Sequence, residues 1–148
     1  MGNTKYVPLS PELGIRINQY IRAYTLWDKV RGCEYIRDYI HYNRYLSLRV
    51  QHIYTNSDGI KEHSKPYPWL TMDKKTGCIY QVQGHGHAPN KNVCTARLLD
   101  QRFRWLRSFL PPDYEDYFDV IKDCILEDKE DEAFNILEKI LTDLALVL

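Results

Sequence analysis

Residue types capable of chemistry concentrate in the middle of the chain. Cationic side chains recur on turn-rich segments: Lys61, His63 and Lys65, then Lys74 and Lys75 just before Gly77, then Lys91, Arg97 and Arg104. Lysines and arginines on neighbouring loops neutralise phosphate oxygens, and helix starts add N–H donors to the same task. Lys61, His63, Lys65, Lys91, Arg97 and Arg104 are therefore the expected contacts to a polyanion, RNA in the first place. Any one of them alone reads as an ordinary solvated charge. The set points to phosphate.

A second constellation is Cys78, His85, His87 and Cys94, spaced Cys-x6-His-x-His-x6-Cys. Thiolate and imidazole are adequate zinc donors, but no close Cys-x-x-Cys pair anchors the set. Cys78 fits a strand core and Cys94 a helix start, so buried thiols are the favoured reading and no metal or cofactor is expected. Cys33 and Cys124 are scattered, and all four cysteines are expected to be reduced. Gly84-His85-Gly86-His87 offers two imidazoles for acid–base work, the alternative of a metal-assisted hydrolase. No carboxylate or nucleophile adjoins them in sequence, and Asp73 or Asp100 would have to be brought in by the fold. The chain is therefore read as a binding module and not as an enzyme.

The charge layout supports that reading. The 148 residues carry no formal net charge, yet the charges are segregated. Residues 1–110 hold 17 Lys+Arg against 8 Asp+Glu, a net +9, with all five histidines; residues 111–148 hold 3 Lys against 12 Asp+Glu, a net −9. Asymmetry of this size between two parts of a chain points to a charged partner. The acidic part supplies an alternative function: a protein-interaction or inhibitor module (an immunity, antidefence or host-targeting factor) that docks on a basic partner. A hydrophobic share of 44% builds a core. The longest apolar run, Leu144 to Leu148, is far too short to cross a bilayer, so no membrane partner is expected. No basic-then-apolar leader opens the chain, and the expected location is the cytoplasm.

The elements that position these groups follow from periodicity. Ser10-Pro11-Glu12 is a helix start, Leu13, Ile17, Ile21 and Tyr24 mark its buried stripe, and Gly32 ends it. A shorter helix is expected over 33–42, where Tyr35, Tyr39 and Tyr42 recur at helical spacing; this stripe reads as the edge of a core. Leu46, Leu48 and Val50 alternate with polar residues as in a strand, and Asn56-Ser57-Asp58-Gly59 has hairpin-turn chemistry. Segments 69–73 and 78–83 form a further strand pair, and 90–110 is expected to be a helix facing the core through Ala96, Leu99, Phe103, Leu106 and Leu110. Leu110-Pro111-Pro112-Asp113 is a boundary. Beyond it, Tyr114, Tyr117, Phe118, Ile121 and Ile125, then Ala133, Ile136, Leu137, Ile140, Leu141 and Leu144, define an acidic αα-hairpin. These elements add up to an α+β fold: a small antiparallel sheet of three or four strands packed by helices, residues 1–110 forming a basic domain and residues 111–148 a helical hairpin packed on it.

The helix–three-strand–helix order expected over 33–110 resembles the double-stranded RNA-binding domain family. Gly84-x-Gly86, then Asn90-Lys91-Asn92 and Ala96-Arg97, stand where that family has a glycine-bearing loop and a basic cluster before its last helix. His63 stands where the family has a histidine between its first two strands. The resemblance implies recognition of RNA through phosphates and 2′-hydroxyls with little base specificity.

Overall fold

The computed structural model describes residues 5–84 and 86–147, with Asn92 and Val147 described by their backbone alone. The class is α+β, as expected. Helix α1 (Pro11–Val30) is followed by strands β1 (Tyr35–His41), β2 (Tyr45–Thr55), β3 (Lys61–His63), β4 (Tyr67–Asp73), β5 (Cys78–Val82) and β6 (Pro89–Arg97). A single-turn helix α2 (Arg104–Arg107), a 3-10 turn (Pro112–Tyr114) and the helices α3 (Glu115–Leu126) and α4 (Glu130–Val147) complete the chain.

Two expected helices are strands. Segment 33–42 is β1, paired along its length with β2 from Tyr35 opposite His52 to His41 opposite Leu46. Tyr35/Tyr39 and Ile36/Ile40 are four residues apart, and four is one helical turn but also two strand repeats, so that spacing fits either element. Segment 89–97 is β6, paired with β5; its Val93 and Thr95 favour extended backbone, and the pairing with β5 outweighs the helix-like spacing of the apolar residues after it. Six consecutive strands thus stand where a helix–three-strand–helix order was expected, and the sheet has six strands in place of three or four.

The sheet order is β1-β2-β4-β5-β6, all antiparallel, with β3 paired to the far end of β2. The turn at Asn56–Gly59 forms as its residues dictate: the Asn56 side chain accepts the N–H of Asp58 and of Ile60, and Gly59 takes φ +78°. Gly77 closes the β4–β5 turn at φ +74°, where an added Cβ would meet Leu99 at 3.1 Å and Leu13 at 3.2 Å. Only glycine fits there.

One face of the sheet, with Leu46, Leu48, Leu70, Met72 and Ile79, packs against Leu13, Ile17, Tyr20 and Ala23 of α1. The other side of α1 meets the α3–α4 hairpin, whose Phe118, Ile121, Phe134, Leu137 and Leu141 belong to the same apolar cluster. Capping by Ser10, which accepts the Leu13 N–H at 3.2 Å, starts α1 as the sequence indicates. At its C-terminal end buried Asp28 accepts two hydrogen bonds from Arg37 of β1, at 2.7 and 3.1 Å, and the guanidinium lies 4.1 Å over the Trp69 ring. Among the described residues no helix is long and apolar enough to cross a membrane.

Candidate nucleic-acid interface

Alternation along each strand sends Ser47, Thr71 and Tyr80 to the sheet face opposite α1. That face is not flat. His87, in the β5–β6 loop, stacks on Tyr42 just past β1 with ring centres 3.7 Å apart, and the Lys91 ammonium of β6 lies 6.0 Å from the Tyr45 ring of β2. These residues come from opposite sides of the strand order, so the sheet must curl to bring them together. The register shows how: Tyr80 pairs with Cys94 and Gln81 with Asn90, leaving Lys91, Asn92 and Val93 as an insertion on β6. The curl shelters Ser47 and Thr71 on a face that the helices do not cover, and both are buried.

At the Tyr45 end of this concave face, cations gather around a single carboxylate. Asp73 is 3% exposed and accepts from Arg44 Nε at 3.2 Å and Nη2 at 2.9 Å, and from the Lys75 backbone N–H at 2.8 Å. Burial works against its charge, but the bond from Arg44, the Lys75 N–H and the charges of Arg44 and Lys91 outweigh it, holding the carboxyl below its ordinary range. Lys74 is a structural cation: its ammonium donates to the Tyr42 carbonyl at 2.7 Å, lies 4.1 Å over the Tyr6 ring, and has its pKa lowered by burial. Lys75 and Lys91 are exposed, and neither has a carboxylate within ion-pair distance among the described residues.

Asp73 makes a specific pH prediction. Its folded pKa lies below the unfolded value, so its contribution to stability is complete above the unfolded value and fades as pH falls through the folded one. Asp73→Asn is expected to cost about 1.5–3 kcal/mol at neutral pH, from loss of the charge-assisted bonds. In urea titrations that gap should stay constant down to about pH 5 and narrow below about pH 4. A gap unchanged at the acid end would remove the assignment.

The six residues expected to contact a polyanion fall into three groups. Lys91 belongs to the cluster just described. Lys61 and His63 lie on β3 and Lys65 just beyond it, at the far end of β2, ten residues or about 33 Å of strand from Tyr45. Lys61 is engaged with Glu34 at 3.2 Å. Arg97 and Arg104 line one recess of about 190 Å³ with Asp100, Trp105 and Ser108, although Arg97 ends a strand and does not share a helix face with Arg104. In that recess Arg104 bonds Asp100 at 2.8 Å.

Sequence reasoning missed Arg44 and the meeting of the Lys75 turn with Arg44 and Lys91 at Asp73. The Asp73-Lys74-Lys75-Thr76-Gly77 turn was the available signal for Lys75, whereas Arg44 joins only through the pairing of β2 with β4. The Tyr35/Tyr39/Tyr42 stripe divides: Tyr39 packs at the edge of the core, and Tyr42 reaches the concave face.

The second constellation is not assembled among the described residues, where no group of three His, Cys, Asp or Glu side chains is placed to hold a metal ion. Cys78 and Cys94 lie on adjacent strands: Cys78 is buried as expected, but Cys94 is exposed within β6 and not at a helix start, its thiol donating to the Ala96 carbonyl at 3.5 Å. His87 stacks on Tyr42, and His85 lies outside the described residues. All four cysteines are free thiols.

The acidic hairpin does not neutralise this face. Its ion pairs with the rest of the chain, among the described residues, are Arg22 with Glu130 and Asp131 at 3.0 Å each, Lys29 with Glu138 at 2.7 Å, and Arg107 with Glu115. These cations lie on α1 and α2. Comparison with known proteins adds no relative, since no family model, no curated protein and no solved structure matches the chain.

Proposed function

We propose that this protein is a non-enzymatic binding module of the cytoplasm that engages RNA through its phosphate backbone. The observation that carries the reading is the placement of opposite charges. The hairpin's ion pairs, through Glu115, Glu130, Asp131 and Glu138, go to cations of α1 and α2, while Arg44, Lys91 and the turn that carries Lys75 meet at Asp73. Lys75 and Lys91 supply mobile ammonium groups for phosphates, while Arg44 is held in place by Asp73. Tyr45 and the Tyr42–His87 pair add aromatic surface of the kind on which bases stack. Arg97 and Arg104 extend the cationic track along the recess below β6. Nothing in this set discriminates one base from another, so the expected binding follows shape and charge over sequence. The reading rests on the cation cluster and not on the family resemblance, whose helix–strand order the chain does not follow.

The test is the double variant Lys75→Glu/Lys91→Glu, titrated against an RNA oligonucleotide of about 16 nucleotides. Fluorescence anisotropy at two salt concentrations should show affinity reduced about tenfold or more at low salt. The slope of log K against log salt should become shallower by about 1.4, roughly 0.7 for each lost single-strand phosphate contact. Equal affinity and slope for wild type and variant would discard the assignment.

A further inference from the structure

The α3–α4 hairpin has two seams, and only one is filled. α1 occupies the first: Arg22 lies over Phe134 at 4.6 Å and pairs with Glu130, while Lys29 pairs with Glu138. At 100° per residue, Ile136, Lys139 and Asp143 fall on the opposite side of α4, with buried Ile140 at the edge of the core stripe between the two sides. Together with Tyr114, Tyr117 and Val120 from the α3 side they line a groove of about 580 Å³. Its walls are apolar where a solvated seam would be polar: Tyr117 is 53% and Val120 49% exposed.

The groove's shape and charge specify an occupant. Ile136 to Asp143 spans seven residues, about 10 Å of helix, which matches the distance between side chains i and i+7 of a third helix laid in the seam. The rim is acidic. Asp116, Asp119 and Asp123 recur at i, i+3 and i+7 on the exposed side of α3 beside Val120, and Asp143 stands on the other wall. Lys139 is the single cation among the groove-lining residues.

We propose that this groove is a docking site for a basic amphipathic helix of a partner protein. Its apolar face seats against Tyr117, Val120 and Ile136, and its lysines or arginines face Asp116, Asp119, Asp123 and Asp143. The site is separate from the cationic sheet face, so it stands or falls independently of RNA binding.

The probe is a fluorescein-labelled peptide of leucine and lysine, about 18 residues or ~27 Å of helix, with leucines at i, i+3, i+4 and i+7. Two controls accompany it: the same composition with the leucines scattered, and the patterned peptide with glutamate in place of lysine. The full-length chain should bind the patterned basic peptide at least tenfold more tightly than either control. Val120→Asp and, independently, Tyr117→Ser should each weaken it about tenfold with the thermal melt unchanged, because both side chains are about half exposed. Lys139→Glu should tighten binding several-fold, and Lys75→Glu/Lys91→Glu should leave it untouched. Equal binding of the scattered peptide, or indifference to both groove variants, would overturn the proposal. So would a dimer at micromolar concentration that Val120→Asp dissociates, since the occupant would then be a second copy.

Discussion

Truncation after Leu110 is expected to abolish the fold. The charge boundary at Pro111-Pro112 invites division there, but the hydrophobic cluster runs straight across it. Phe118, Ile121, Ile125, Phe134, Leu137, Ile140 and Leu141 are all buried in the cluster that also contains α1 and the sheet. At roughly 1.5–3 kcal/mol for each buried side chain of this size, their removal takes away on the order of 10–20 kcal/mol. A domain has only about 5–15 kcal/mol of net stability to lose. The shortened chain should therefore show no cooperative urea transition and should aggregate through the bared side of α1. A soluble 1–110 fragment with a cooperative transition would show that the hairpin is an accessory. If the hairpin is structural, deleting it cannot report on whether its charges compete with RNA, and charge substitutions are the cleaner route.

The second large effect is expected at Asp28. This carboxylate is 2% exposed and is held by Arg37, which is itself clamped over Trp69 and Tyr24. Asp28→Ala leaves a guanidinium with no counter-charge in a nearly dry site, and the expected cost is about 3–5 kcal/mol. The effect belongs to the orphaned charge more than to the pair. Replacing both residues, Asp28→Leu with Arg37→Met, should accordingly recover most of the loss. Urea denaturation of the two variants separates the cases. A cost below about 1 kcal/mol for Asp28→Ala would mean that water reaches Arg37 and the link between α1 and β1 is weak.

Much of the fold is legible in the chain. Ser10-Pro11 and the Leu13/Ile17 stripe specify α1, the Asn56–Gly59 turn forms as its side chains require, and the two C-terminal apolar stripes produce the helical pair. Local periodicity misleads in a region governed by long-range pairing. β1 is a strand because β2 lies beside it over seven residues, and its own four-residue spacing cannot distinguish a turn of helix from two strand repeats. The site shows the same division. That Lys91 and Lys75 are cations is plain from the sequence. That Lys91 and the Lys75 turn meet Arg44 at Asp73 depends on the β2–β4 register and on a three-residue insertion in β6, neither of which leaves a local mark. Lys61 illustrates the converse, a cation read as available that finds Glu34 twenty-seven residues away.

The most direct measurement is a titration of the isotope-labelled chain with the same RNA, followed by amide ¹H–¹⁵N shifts. If the cationic sheet face binds phosphate, perturbations will be confined to residues 41–45, 73–77, 87–97 and the adjoining recess at 100–108, and will be lost in Lys75→Glu/Lys91→Glu. Perturbations that instead cluster on α3 and α4, or none at saturating RNA, would contradict it.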